Sequence, residues 1–195
     1  MNLKVGRVGV DEAGRGPLAG PVAIGAFFVR RGTRLSYLGL ADSKKLSKEK
    51  RDEWFEKIRA WKLEGKADFA VSLVSPKVID KRGITFAIRL GIRRCLKKLS
   101  VSSHGTQIFL DGGLRAPDEF RKQKTIIRGD EKVPVISLAS IVAKVTRDRY
   151  MKRLSKKYPE YGFEIHKGYG TKVHIKNINK HGSSDVHRET FINNF

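Results

Sequence analysis

Two rhythms of apolar residues alternate along this chain. From Leu3 to Asp11, LKVGRVGVD sets small or branched apolar residues against others with the two-residue period of a half-buried strand. PVAIGAFFV (21–29) is a second apolar run. LSYLGL (35–40), beyond the basic turn at Gly32, is predicted as a third strand, so the start reads as an antiparallel meander. The rhythm then changes. Ser47 is placed to cap KEKRDEWFEKIRAW, where Trp54, Phe55, Ile58 and Trp61 fall on one helical face with Lys and Glu opposite. ADFAVSLVS (67–75) is extended again, and one long helix is predicted from Pro76 towards Leu99, striped by Ile84, Ile88, Ile92, Cys95 and Leu99. QIFLD (107–111) and KTIIRGD (124–130) read as short strands and SLASIVAKVTRDRYMKRL (137–154) as a helix. The polar, glycine-bearing remainder, about 157–195, is expected to form a helical and looped cap over the sheet. Strands and helices in this order make one mixed α/β domain, 1–195.

Charge narrows the class of protein. Lys and Arg number 41 against 20 Asp and Glu, a formal net charge of +21 over 195 residues. So large an excess opposes compaction and calls for a polyanionic partner, nucleic acid first, because neutralising phosphates releases counterions. A solvated surface adapted for solubility is the competing reading. No basic amphipathic stretch dominates the chain, and no apolar run approaches the roughly 20 residues of a membrane span. A single cysteine, Cys95, excludes an internal disulfide and falls on the apolar stripe of its helix, as a buried structural thiol would. The first residues enter a strand directly, and a cytoplasmic location is expected.

Against that basic background the acids stand out. Asp11 with Glu12, Asp111 in IFLDGG and Asp130 in IIRGD each follow an apolar run, with glycine close by. All three clusters are expected at strand ends, where ligands gather in α/β sheets. Taken singly, Asp111 and Asp130 also fit ordinary turn chemistry. Neighbouring residues of a straight strand face opposite ways, so Asp11 and Glu12 serve one site only if the strand bends or ends there, which Gly14 and Gly16 allow. Four converging carboxylates would repel one another, and a divalent cation relieves that; oxygen-only ligands favour Mg²⁺ or Mn²⁺ over Zn²⁺. Two such ions about 4 Å apart suit in-line phosphodiester hydrolysis. No protein nucleophile is required: Ser43, Ser137 and Ser140 lie in no nucleophile-elbow pattern. The Gly14-Arg15-Gly16 run lacks the spacing of a dinucleotide or P-loop fingerprint. It reads either as a tight turn or as a loop whose bare backbone approaches a sugar and inspects its 2′-hydroxyl, with Arg15 on a phosphate.

At these residues the chain resembles a known family. VDEAGRGPLAGPV is similar to the opening signature of type 2 ribonuclease H, ribonuclease HII, and the likeness continues through DSKKLSKEKR, FLDGG, RGDEKVPVISLASIVAKVTRDRYM, YGFEIHKGYGT and HGSSDVHRETF. The resemblance implies a ribonuclease H-like fold: a mixed five-stranded sheet flanked by helices, with a C-terminal helical extension. It implies a single-chain, metal-dependent endoribonuclease acting on RNA–DNA hybrids and 5′ to single ribonucleotides in duplex DNA, leaving 3′-hydroxyl and 5′-phosphate ends. Asp11, Glu12, Asp111 and Asp130 would then be the catalytic, metal-binding acids, and Gly14, Arg15 and Gly16 the loop on the 2′-hydroxyl. Tyr169 would pack on the sugar at the RNA-to-DNA junction; by its spacing alone it is an ordinary half-buried tyrosine. Lys45, Lys144, His166 and Lys167 sit in matching motifs and are expected near phosphates, with surface solvation as the other account. Asp148 competes with Asp130 for the fourth acid position but reads better as a helical ion pair. The chain departs from the family pattern at Leu138, where alanine is usual, and in the GSSDVHRETF tail, where a proline is usual; neither touches an acid or the glycine loop. Two other readings stay open: a structure-specific DNA nuclease on a related scaffold, indifferent to a 2′-hydroxyl, and a non-catalytic basic nucleic-acid-binding protein, which accounts for the charge but not for the acids.

Overall fold

The structure, a computed structural model, describes residues 3–37, 40 and 46–193. Five strands form one sheet in the order β3-β2-β1-β4-β5: β1 Gly6–Ala13, β2 Val22–Arg30, β3 Ala67–Val74, β4 Gln107–Asp111 and β5 Gln123–Ile126. β1 pairs antiparallel with β2 and parallel with β4; β2–β3 is antiparallel and β4–β5 parallel. The sheet is therefore mixed, as expected.

Its two faces are covered by different helices. Val8, Val10, Ile24 and Leu110 meet α3 (Ile84–Leu99) through Ile88, Ile92 and Leu99. The opposite face, with Phe27 and Val29, is covered by α1 (Lys48–Leu63) and α5 (Pro134–Lys157). Trp54, Phe55, Ile58 and Trp61 of α1 are buried as their spacing predicts, and Ser47 caps that helix by accepting from the Lys50 N–H. α5 crosses β1 and β2 in contact with their backbones. A Cβ on Gly9 would collide with the Val135 carbonyl, and one on Gly25 with that of Ala139. Only glycine allows this approach, which brings the middle of α5 down onto the end of β1.

Three expectations are corrected. The segment predicted as a third strand is not one among its described residues. Both edges of β2 are already paired, with β1 and β3, so Leu35, Tyr37 and Leu40 dock their side chains on the α1/α5 core instead. The long helix from Pro76 is two, α2 (Pro76–Arg82) and α3, parted by Gly83 at φ 80°. The last segment lies chiefly over the loop after β1 and the end of α5 rather than across the sheet, with only Phe191 reaching the sheet/α3 core among its described residues. It comprises a 3-10 turn at Pro159–Tyr161, α6 (Phe163–His166), α7 (Lys172–His181) and α8 (Glu189–Ile192). Leu18 and Ala19 join Met151, Tyr161, Phe163 and Ile178 in a third apolar cluster there, and Gly168, Val186 and Arg188 hydrogen-bond to the backbone of residues 18–20. Cys95 is enclosed in the α3 core, its thiol donating to the Ile24 carbonyl at 3.3 Å, and burial pushes its pKa up to about 12.

Candidate active site

β1, the strand that starts at Gly6, delivers the first two acids. Asp11 and Glu12 are within its last three residues, at the strand end as expected. Alternation puts Asp11 on the α5 side, where Ser140 hydrogen-bonds its carboxyl, and Asp11 also accepts from the Glu12 N–H at 2.7 Å. Asp111 closes β4, the parallel neighbour of β1. Its Oδ1 accepts from the N–H of Gly129 at 2.6 Å and of Asp130 at 3.4 Å, capping α4 (Gly129–Lys132).

Asp11, Glu12 and Asp111 line one cleft of about 400 Å³ with Gly14, Arg15 and Gly16. Tyr169 stands on its wall, 43% exposed, on the loop between α6 and α7. Asp130 differs from the expectation: β5 ends at Ile126, so this acid sits on α4, not at a strand end. Its side chain is fully buried, Ser137 donates to its carbonyl, and it is not part of the cleft wall, although its amide is bonded to Asp111.

The acids strain against their surroundings. Burial pushes the Asp11 pKa from 3.8 up to about 8; the Ser140 hydrogen bond opposes this, and the Asp111 and Glu12 charges add to it. Burial likewise raises Glu12, partly offset by Arg15, whose guanidinium is 3.6 Å away, while Asp111 raises it further. Low dielectric and like charge are both relieved by a cation between the carboxylates. The donors are all oxygen, as Mg²⁺ or Mn²⁺ prefers. Among the described residues no three His, Cys, Asp or Glu side chains form a ready-made ligand shell, so the fit lies in chemistry and charge.

Residues that the pattern did not single out complete the wall: Arg51, Ser140 and Ile141, beside the expected Lys144. Lys144 is held at 2.9 Å by Asp148, which accordingly serves as an ion-pair partner within α5. His166 is not a phosphate contact. It is buried, its Nε2 donates to the Tyr161 carbonyl at 2.8 Å and its Nδ1 accepts from the Gly168 N–H at 3.2 Å. Lys167 donates to the Glu164 carbonyl. Lys45 and Ser43 lie outside the described residues.

The profile of the ribonuclease HII family matches residues 8–194. The chain belongs to the ribonuclease HII family. The ribonuclease HII of Coxiella burnetii (strain Dugway 5J108-111) is 45% identical over 183 residues, which cover 94% of this chain and 86% of that one. Among solved structures, the ribonuclease HII of Archaeoglobus fulgidus, determined in complex with PCNA, superposes with a TM-score of 0.72 at 27% identity, covering 94% of each chain. The ribonuclease H2 of Pyrococcus horikoshii OT3 gives 0.71 at 30% identity, covering 96% of this chain and 95% of that one. The chain is thus a type 2 ribonuclease H, a hydrolase of the nuclease class, with the fold its resemblance implied. That excludes the purely binding reading. Among the described residues no helix is long and apolar enough to cross a membrane.

Proposed function

We propose that this enzyme hydrolyses the RNA strand of RNA–DNA hybrids and cuts 5′ to single ribonucleotides in duplex DNA, leaving 3′-hydroxyl and 5′-phosphate ends. The observation that carries this reading is one cleft holding three carboxylates, a bare-backbone glycine loop and a half-exposed tyrosine, in a protein of net charge +21. Asp11, Glu12 and Asp111 would hold Mg²⁺ or Mn²⁺, with Asp130, whose amide bonds Asp111, as the fourth acid. Divalent ions supply a nucleophilic water and neutralise charge on the scissile phosphate and leaving oxygen. The chain's own groups do the rest. Lys144 and Arg51 offer cations to strand phosphates at the cleft edge, Gly14 to Gly16 approach the ribose, and Tyr169 presents a ring face to the sugar beside the loop. Residues 1–195 act as one catalytic domain, with 157–195 backing the loop, as a monomer in the cytoplasm.

The test is cleavage of a DNA duplex carrying one ribonucleotide beside the same duplex in DNA alone, with Mg²⁺ or Mn²⁺ and with EDTA. Cutting 5′ to the ribonucleotide only, lost in EDTA and reduced at least about 10³-fold by Asp11→Asn, is expected. Equal cutting of the all-DNA duplex would establish the structure-specific DNA nuclease instead. A fully active Asp11→Asn would remove the assigned acids.

A further inference from the structure

Two arginines are completely buried without a carboxylate. Arg147 and Arg188 are both 0% exposed, and neither forms an ion pair among the described residues. They serve main-chain carbonyls instead. Arg188 gives Nη2 to Gly14 O at 2.7 Å, Nη1 to Arg15 O at 2.8 Å and Nε to Gly20 O at 3.0 Å. Arg147 gives Nε to Pro21 O at 3.0 Å and Nη2 to Ala19 O at 3.2 Å, while its Nη1 is buried with no partner. Burial, then the neighbouring Arg147 charge, brings the Arg188 pKa down to about 9, so it still carries its proton at neutral pH. Two dehydrated like charges are a costly way to fill space. They accomplish what an apolar side chain could not, gripping a loop from behind.

That grip has a directional consequence. In a trans peptide the carbonyl of one residue and the N–H of the next point opposite ways, and no cis bond occurs among the described residues. With the Gly14 and Arg15 carbonyls turned inward to Arg188, the N–H groups of Arg15 and Gly16 turn outward. Both residues are exposed, both line the cleft, and neither N–H has an acceptor among the described residues. Nothing lies within 4 Å of where a Gly16 side chain would begin, so an incoming group has room there. Successive outward amides form a nest that takes an oxygen atom. Arg147 braces the same loop: it fills the space a Gly14 side chain would need, and its guanidinium lies 5.8 Å from the Tyr169 ring centroid.

We propose that Arg188 is the positioning residue for ribose recognition: by holding the Gly14 and Arg15 carbonyls, it aims the Arg15 and Gly16 amides at the 2′-hydroxyl of a ribonucleotide in the cleft. The inference rests on the reading of the loop given above. Arg188 does not touch substrate; it acts through the loop, and its charge behind the peptides strengthens their N–H dipoles.

The experiment measures equilibrium binding in EDTA, by fluorescence anisotropy, of a duplex with one ribonucleotide and the same duplex in DNA alone. Wild type, Arg188→Lys and Arg188→Ala are compared, with amide resonances of Arg15 and Gly16 followed by NMR. Wild type is expected to favour the ribonucleotide duplex about fivefold, the worth of one net hydrogen bond. Both variants should lose that preference while keeping all-DNA affinity within about twofold. Their Arg15 and Gly16 resonances should move while that of Gly129 stays, and millimolar guanidinium ion should restore the preference of Arg188→Ala. A folded variant that keeps the wild-type preference overturns the inference, as does an equal loss of affinity for both duplexes. A wild type with no preference overturns the reading of the loop and this inference with it. Arg188→Lys, which keeps stem and charge, decides the matter if the alanine variant does not fold.

Discussion

Asp11 shows how much of a residue's behaviour is borrowed from its neighbours. Its carboxyl binds a proton more tightly in the folded protein, pKa about 8, than at its ordinary value of 3.8. The folded state therefore carries the extra proton between those two values, and stability falls as pH rises through that window. Asp11→Asn removes the penalty. In EDTA the variant should melt with wild type near pH 4 and about 5 °C above it near pH 8.5, measured by calorimetry. Added Mg²⁺ should raise wild type more than the variant. A wild type that stays level across this range would show the carboxylate already compensated. The local sequence marked Asp11 and Glu12 as reactive, but the raised pKa comes first from burial and then from the Asp111 charge, with Ser140 opposing it, and none of these distant groups is readable from DEAGRG. Asp130 carries a separate expectation. Because its side chain is enclosed and off the cleft wall, Asp130→Asn should retain at least about tenfold more cleavage activity than Asp11→Asn in parallel assays.

Among the elements, α5 and the C-terminal extension decide what the cleft can be. α5 reaches Asp11 only because Gly9 and Gly25 let its backbone settle on β1 and β2. Gly25→Ala should cost about 3 kcal/mol in urea unfolding, an overpacking penalty against a main-chain carbonyl that cannot swing away. The extension depends on neutral histidines. The Ser184 N–H donates to His187 Nδ1, leaving His187 Nε2–H to donate to His174 Nε2 at 3.1 Å and His174 Nδ1–H to the Tyr169 carbonyl at 2.9 Å. These tautomers follow from the fixed backbone donor and acceptor at either end. Protonation breaks the ring-to-ring bond. Burial lowers His174 from 6.5 to about 4 and also lowers His166 and His187. Groups with depressed pKa values stabilise the fold above 6.5, and that stability is lost as pH falls towards 4. Hydrogen exchange should show residues 159–181 opening between about pH 6.5 and 4.5 while β1 and β2 stay protected; uniform protection would refute the account. Of these elements, the helices and strands with clear periodicity were legible in the sequence. The strand predicted at 35–40, absent among its described residues, was not, because its residues are strand-like but β2, which it follows, is already paired on both sides. The break at Gly83 was equally hidden, since apolar periodicity continues across it.

For the molecule as a whole, the charge of +21 sets how it meets its substrate. Duplex contacts made by several lysines and arginines should show affinity falling about 10³-fold or more between 50 and 200 mM salt, for all-DNA and ribonucleotide duplexes alike. The difference between the two duplexes should be insensitive to salt, since a 2′-hydroxyl is neutral; an equally steep difference would place discrimination in phosphate contacts. By itself the sequence determined the class of fold, the basic character and three of the cleft's acids, because periodicity, composition and acids beside glycine are properties of adjacent residues. It could not show that Asp130 is enclosed, that His166 serves a carbonyl, or that Arg147 and Arg188 grip the glycine loop. In a chain with 41 Lys and Arg, no local signal separates a buried arginine from a solvated one. Only packing decides that, because a guanidinium's role is set by the carbonyls that reach it, and those come from segments as far apart as Gly14 and Arg188.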